Sequence, residues 1–128
     1  MIQHIFSPGA PPPRGPYSPG VRAGDYIFVA GQVPVDVVTG QMVKGDVQAE
    51  TRQVLSNIKS ILESAGSSMA QVVRCGVYLT DGDDFGAMNE VYTEFFGEAK
   101  PARSTIIVKA LPLKEARVEI DAIAYVGA

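Results

Sequence analysis

Arg103 and Glu119 are the two residues of this sequence whose types and spacing best suit a chemical site. Each lies in a segment near the C-terminus that alternates charged residues with branched apolar ones, as half-buried strands do. An arginine and a carboxylate that project from neighbouring strands are more typical of a small-molecule binding site than of an exposed surface without function. We therefore take this pair as the first candidate for binding or catalysis.

The alternation assigns the candidate residues to faces of the predicted sheet. In the second segment the apolar positions would face the helices, which places Arg117, Glu119 and Asp121 on the opposite, helix-free face. In the first segment Arg103 and Thr105 share one face, which we also expect to be helix-free. A polar face of this kind is equally expected when it is simply exposed to water, as in many antiparallel sheets. The pattern alone does not decide between a site and a wet surface.

A register estimate tests whether one chain could hold both residues against one ligand. We expect the two segments to form a hairpin in which Ala110 pairs with Ala116. Ile107 then lies opposite Glu119, and Arg103 lies four residues farther along its strand. At roughly 3.3 Å per residue the pair is about 13 Å apart, too far to grip one small molecule. A symmetric oligomer whose helix-free faces pack together would bring Arg103 and Glu119 of different chains close.

Other candidate site residues come from separate segments of the chain. Asn89 lies on the margin of an apolar helical stripe, where an asparagine is more often a structural amide but could also face a ligand. Tyr17 lies in a stiff Gly-Pro-Tyr-Ser-Pro segment, as an anchoring aromatic or as a pocket wall. Gly31 ends a strand and could serve only a turn. Cys75 is central in a strand, and we interpret it as a small core residue and not as a nucleophile.

Two helices are expected to support the sheet. Apolar residues recur at steps of three and four over 47–65, which predicts a helix with Asp46 at its N-cap and Gly66 just past its end. A second helix is predicted to follow a cap at the aspartate pair 83–84 and to stop at Gly97. Its aromatic residues are expected to point inward.

The order of these elements predicts an α+β fold, a mixed β-sheet with both helices packed on one face. Strands are expected at 26–30, 72–80, 103–110 and 116–126, and the proline-rich residues 1–20 are expected to form an extended arm. No internal repeat or linker divides the sequence, so we expect residues 1–128 to form one domain.

Composition argues against several classes of function. The net charge is −3 and the 11 lysines and arginines are scattered, which argues against nucleic-acid binding. The first twenty residues are too rich in proline for a signal peptide, and no apolar stretch approaches the length of a membrane span. One cysteine and one histidine are too few for a structural zinc site, and a single cysteine suits a reducing compartment. We expect a cytoplasmic protein that binds no nucleic acid, membrane or metal.

Six segments together resemble the RidA/YjgF family, in an order and spacing that cover nearly the whole chain. They are residues 15–18 (GPYS), 28–32 (FVAGQ), 48–55 (QAETRQVL), 89–92 (NEVY), 101–104 (PARS) and 118–124 (VEIDAIA). The resemblance implies a chorismate-mutase-like fold and a homotrimer with three sites in the clefts between subunits. This agrees with the need for a second chain that the register estimate produced.

The resemblance also implies an activity and roles for individual residues. Archetypal members hydrolyse reactive 2-imino acids (2-iminopropanoate and 2-iminobutanoate) to 2-oxo acids and ammonia, without a cofactor, and so prevent damage to other enzymes. In such a protein Arg103 would hold the substrate carboxylate in a bidentate fork, and Glu119 would orient or activate the attacking water. The remaining substrate-binding positions would be Tyr17, Gly31, Asn89 and Thr105.

Two positions depart from the family pattern and leave the substrate open. Ala30 stands where archetypal members usually carry serine, and Thr105 stands where many carry cysteine. Neither change removes the arginine or the glutamate. Two alternatives to the imine deaminase therefore remain. One is a pathway-specific enamine deaminase, acting on aminoacrylate or 2-aminomuconate, and the other is a non-catalytic trimer that binds 2-oxo acids or acts as a chaperone.

Overall fold

Six strands form one mixed sheet in the computed structural model, which describes residues 1–127. The strands are β1 (Ile2–Ile5), β2 (Gly20–Ala23), β3 (Tyr26–Gln32), β4 (Val72–Leu79), β5 (Ala102–Ile107) and β6 (Val118–Tyr125), and the helices are α1 (Val47–Ser64) and α2 (Phe85–Phe96). Their order across the sheet is β1-β2-β3-β6-β4-β5. The β4–β5 pair is parallel and the other pairs are antiparallel.

Helix α1 begins and ends where its sequence predicts. The Asp46 carboxylate accepts a hydrogen bond from the backbone N–H of Ala49 at 3.0 Å, which satisfies one of the free amides of the first turn. Gly66 follows the helix at φ +83°, a left-handed conformation that glycine adopts without a steric cost. Every apolar residue of its predicted stripe from Val47 to Leu62 is buried.

Helix α2 begins at Phe85, after an N-cap position held by Asp84, and ends before Gly97, both as predicted. A short 3₁₀ turn, Gly82–Asp84, precedes the helix. The Asp84 side chain accepts no capping hydrogen bond, whereas Asp81 caps the 3₁₀ turn by accepting from the Asp83 N–H at 2.9 Å. The predicted cap position is therefore confirmed, but its side chain does not make the capping bond.

The core lies between the two helices and one face of the sheet, which confirms the predicted α+β arrangement. Strand β6 alternates buried and half-buried residues along its whole length, and the buried row packs under α1. Burial of each large aliphatic side chain stabilises the fold by about 1.5–3 kcal/mol. The buried row of β6 consists of Val118, Ile120, Ala122 and Ala124.

The N-terminal segment, predicted to be an extended arm, contributes an edge strand to the sheet. Residues Ile2–Ile5 form an edge strand against β2, and β2 itself is not predicted. Both strands are four residues long, too short for a visible alternation, and their pairing joins segments distant in sequence. Between them the chain from Phe6 to Pro19 has no helix or strand.

The predicted hairpin between the last two strands is wrong. Strand β5 pairs with β4 in parallel, and β6 pairs with the other side of β4, so β4 separates them. The strand–helix–strand order β4-α2-β5 explains the parallel pair, since a helix is the usual crossover between parallel neighbours. Residues 108–117 connect β5 to β6 around the C-terminal end of β4, where the Val108 N–H donates to the Leu79 carbonyl and the Thr80 N–H donates to the Arg117 carbonyl. Glu115 in this connection has a left-handed conformation at φ 72°.

An ion pair between a buried glutamate and a partly exposed arginine fixes the start of β6 to α1. Glu50 is fully buried, and its carboxylate accepts from the backbone N–H of Arg117 at 2.7 Å and from Arg117 Nη1 at 2.5 Å. Arg117 was expected on the helix-free face, but it precedes β6 and turns toward the helix. The sequence gives no local signal for this pair, because its two members are 67 residues apart.

Candidate active site

Glu119 and Gly31 lie side by side on the helix-free face of the sheet. Glu119 comes from the half-buried row of β6, as its alternation predicts. Gly31 lies on β3 at a register shift between Val29 and Gln32. A Cβ atom built on Gly31 would collide with Glu119 Oε2, so only glycine lets the carboxylate lie against the β3 backbone.

A cleft of about 470 Å³ opens above this contact. Tyr17 reaches its wall from the N-terminal arm, where the Tyr17 hydroxyl accepts a hydrogen bond from the Arg14 N–H at 3.3 Å. Apolar residues form much of the remaining wall. The lining includes Tyr17, Ala30, Gly31, Val33, Leu113 and Glu119. We refer to Tyr17, Gly31 and Glu119 as the glutamate cluster.

The pKa of Glu119 is raised above its ordinary value. The principal cause is burial, which disfavours the charged carboxylate, and the negative charge of Asp121 adds to it. Asp121 is fixed on the same face, because its carboxylate accepts from the Gly76 N–H at 2.9 Å and from the Tyr78 hydroxyl at 2.8 Å. A carboxylate of raised pKa is a stronger base than an ordinary glutamate.

Arg103 lies on the other face of the sheet, against α2. In the β4–β5 register Arg103 pairs with Cys75, which is fully buried under the helices, so both side chains point that way. Its Nη1 donates to Asn89 Oδ1 at 2.7 Å. Thr105 pairs with the buried Val77 and lies on the same side. We refer to Asn89, Arg103 and Thr105 as the arginine cluster.

The prediction that Arg103 and Thr105 share the helix-free face with Glu119 is therefore wrong. Strand β5 is an edge strand with apolar residues in both of its rows. Ile106 points to the helix-free side and Ile107 to the helix side, and they are 51% and 53% exposed. Because neither row of β5 is fully buried, its alternation does not identify the face toward the core.

The two clusters are also distant along the sheet. Arg103 is level with Cys75, and Glu119 is level with Tyr78, on the two sides of β4. Two strand spacings and three residues of rise place their backbones about 14 Å apart. The predicted register is wrong, yet the separation is about the same as expected. One chain therefore does not bring the glutamate and the arginine to one small ligand.

Sequence reasoning missed the aromatic residues around Arg103. The Arg103 Cζ lies 5.5 Å from the ring centroid of Phe85 and 4.7 Å from that of Tyr92. Phe85, expected to point inward, is 42% exposed. Phe85 lies four residues before Asn89 and Tyr92 lies three residues after it, so all three share one face of the helix. This spacing could have predicted that both aromatic rings lie beside Asn89.

Cys75 is a core residue, as predicted. The thiol is fully buried and free, and burial raises its pKa to about 11. A thiol of this pKa carries almost no thiolate at neutral pH, which does not suit a nucleophile.

The helix-free face carries exposed apolar side chains beside its charged ones. Tyr26 and Phe28 of β3 are 45% and 46% exposed there, and Ile106 of β5 is on the same face. Exposed apolar patches of this kind mark interaction surfaces.

Two further kinds of feature are absent from residues 1–127. Neither helix has the length and apolar character that a membrane span requires. No group of three His, Cys, Asp or Glu side chains converges as metal ligands would.

Comparisons with known proteins match nearly the whole chain in sequence and in fold. The family model described as Endoribonuclease L-PSP matches residues 8–126. A RutC family protein from Pyrococcus horikoshii is 54% identical over 125 residues, which cover 98% of each chain. A 2-iminobutanoate/2-iminopropanoate deaminase from Dermatophagoides farinae is 41% identical over 122 residues, covering 95% of this chain and 94% of the relative. The YjgF protein of E. coli superposes with a TM-score of 0.90 at 40% identity, covering 96% and 98% of the two chains.

Proposed function

This chain belongs to the RidA/YjgF family, and from that membership we propose that it hydrolyses reactive 2-imino acids to 2-oxo acids and ammonia. The observation that best supports the proposal is Glu119, a half-buried carboxylate of raised pKa on the wall of a mainly apolar cleft. A relative that covers most of the chain is named for this reaction.

We further propose that the active protein is a homotrimer whose sites lie between subunits. The glutamate and arginine clusters lie on opposite faces of one sheet, about 14 Å apart, so a complete site needs both from different chains. The exposed apolar residues of the helix-free face give such an assembly a surface to bury. In each site one chain would supply Glu119 and its neighbour would supply Arg103.

The reaction then follows from the chemistry of these two side chains. The Arg103 guanidinium binds the substrate carboxylate through two parallel N–H donors, which fixes the imine carbon relative to Glu119. Glu119 accepts a proton from water as the water oxygen attacks the carbon of the protonated imine and the C=N π electrons move to nitrogen. Glu119 then donates this proton to the amino nitrogen of the tetrahedral adduct, which makes ammonia the leaving group. As the C–N bond breaks, the hydroxyl proton passes to Glu119 and the C=O bond of the 2-oxo acid forms. Glu119 finally releases that proton to solvent.

The remaining candidate residues shape the substrate site in this proposal. Tyr17 and the Gly31 backbone form one wall beside Glu119. Thr105 places a hydroxyl on the Arg103 side of β5. Ala30 makes its part of the cleft apolar. Since protonated imines hydrolyse readily in water, positioning of the substrate supplies much of the acceleration.

The experiment generates imines with an amino-acid oxidase and follows their decay with wild type, Arg103→Ala and Arg52→Ala. Arg52 is a matched control, because it is an exposed arginine of α1, away from the helix-free face, and its guanidinium pairs with Glu94 at 2.8 Å. We expect wild type and Arg52→Ala to accelerate decay equally and Arg103→Ala to lose most of the effect. Equal rates for wild type and Arg103→Ala would contradict the proposal.

Two other functions give different outcomes in the same assay. A non-catalytic 2-oxo acid binder would bind 2-oxobutanoate in an Arg103-dependent way and accelerate the decay of no imine. A pathway-specific enamine deaminase would act on 2-aminomuconate or aminoacrylate and leave the simple imines unchanged. RNA cleavage, to which the description of the family model refers, is disfavoured by the net charge of −3 and the scattered basic residues.

A further inference from the structure

Three residues on one face of α2 contact the Arg103 guanidinium. Phe85, Asn89 and Tyr92 are spaced at intervals of four and three residues, which places them in one row along the helix. All three contact the same guanidinium group. Phe85 and Tyr92 are about 10.5 Å apart along the helix axis, so the row spans two turns.

The contacts differ in kind. Asn89 Oδ1 accepts from Arg103 Nη1 at 2.7 Å, which engages one edge of the planar group. The rings of Phe85 and Tyr92 lie 5.5 Å and 4.7 Å from Cζ, within the range at which an aromatic face attracts a cation. Within residues 1–127 the bond to Asn89 is the one hydrogen bond that the Arg103 side chain makes, and an arginine has five donors.

A substrate carboxylate needs a guanidinium that is already oriented. Arginine is a long side chain with many rotamers, and ordering it during binding would reduce affinity. Two aromatic contacts and one amide remove that freedom before the substrate arrives. We propose that Phe85 and Tyr92 are positioning residues, which hold the Arg103 plane so that its donors not used by Asn89 face the substrate carboxylate. This inference rests on the proposed function only where it names the carboxylate.

Tyr92 faces the guanidinium with its ring, whose centroid lies 4.7 Å from Arg103 Cζ. The residue is only 8% exposed, and its hydroxyl has no hydrogen-bond partner within residues 1–127. Burial raises the pKa of this phenol, so it stays protonated at physiological pH. Tyr92→Phe therefore keeps the positioning contact, whereas Tyr92→Leu removes it.

The first test measures kcat and KM for imine hydrolysis, and Kd for 2-oxobutanoate, in Phe85→Leu, Tyr92→Leu, its conservative counterpart Tyr92→Phe and the control Phe95→Leu. Phe95 is an aromatic residue of the same helix that lines a separate groove with Arg52 and Met69. We expect Phe85→Leu and Tyr92→Leu each to raise KM and Kd about tenfold with little change in kcat, and Tyr92→Phe to rescue the loss seen in Tyr92→Leu. Phe95→Leu should stay near wild type. Phe85→Leu or Tyr92→Leu with the KM and Kd of wild type would overturn the inference for that residue.

The second test needs no ligand. The side-chain N–H resonances of Arg103, assigned by their loss in Arg103→Ala, should show ring-current shifts and slow rotation of the guanidinium in wild type. Phe85→Leu should move these signals toward those of a free arginine, and Phe95→Leu should not. If Phe85→Leu leaves them unchanged, the inference fails whether or not the protein is a deaminase. If they move but wild type hydrolyses no imine, the positioning stands and the proposed function fails.

Discussion

The glutamate cluster and the arginine cluster differ in how the fold holds a charge. Glu119 lies beside a second carboxylate, Asp121, against a bare glycine backbone, and burial adds to the cost of its charge. Arg103 lies between an amide oxygen and two aromatic rings, which favour its charge without neutralising it. The glutamate cluster therefore supplies a base, and the arginine cluster supplies a fixed cation. In the proposed function the two clusters are the two halves of one site, which different chains supply.

The largest effect should come from removing the base and leaving the arginine intact. We expect Glu119→Gln to lower kcat about 100- to 10,000-fold, the usual contribution of a general base. Binding of 2-oxobutanoate, measured by calorimetry, should persist, since Arg103 is untouched. Arg103→Ala should instead lose that binding. Loss of 2-oxobutanoate binding in both variants would contradict the assignment of substrate binding to Arg103 and of proton transfer to Glu119.

Gly31→Ala should break the glutamate cluster through the backbone alone. A methyl group at Gly31 would collide with the Glu119 carboxylate and displace it. A displacement near 1 Å at a reacting group can cost about 100-fold in rate, so we expect a loss of that order in kcat/KM. The matched control is Gly86→Ala, because Gly86 has open space around its Cα. Unchanged activity in Gly31→Ala would show that Glu119 needs no close backbone approach.

How far the sequence predicts each cluster depends on the strand that carries it. Strand β6 alternates without interruption and has one fully buried row, so the face of Glu119 is predicted correctly. Strand β5 is an edge strand with exposed isoleucines in both rows, and its pattern fits either face. The face of Arg103 is set by its pairing with β4, which no local pattern encodes.

Local and long-range features separate in the same way elsewhere. The bounds of α1 follow from Asp46, Gly66 and the stripe between them, all close in sequence. The hairpin prediction failed because it compared only neighbouring segments, although the intervening α2 already favoured a parallel crossover from β4 to β5. The Glu50–Arg117 pair joins residues 67 positions apart and had no signal at all.

A smaller effect should follow when the arginine cluster keeps its charge but loses its planar fork. We expect Arg103→Lys to raise KM about tenfold, since a lysine ammonium neither binds a carboxylate bidentately nor stacks in the same way on Phe85 and Tyr92. Steady-state kinetics on imines give the value. A KM equal to that of wild type would mean that charge alone suffices.

The smallest effect concerns the pH dependence of the glutamate cluster. Glu119 acts as a base only when ionised, so kcat/KM should fall as the pH drops through its raised pKa. Asp121→Asn removes the lesser of the two causes and should move this acidic limb to lower pH, while burial keeps part of the shift. The pH profiles of kcat/KM for both proteins give the comparison. A limb that stays in place would show that Asp121 does not act on Glu119.

The division of one site between two chains is tested most directly by mixing two inactive variants. Arg103→Ala and Glu119→Gln chains would be unfolded together in equal amounts and refolded, with mixed trimers counted by native mass spectrometry. In a symmetric trimer with sites between neighbours, random mixing restores both residues to about one site in four. We therefore predict about a quarter of wild-type imine hydrolysis. Mixed trimers with no more activity than either parent would contradict a shared site.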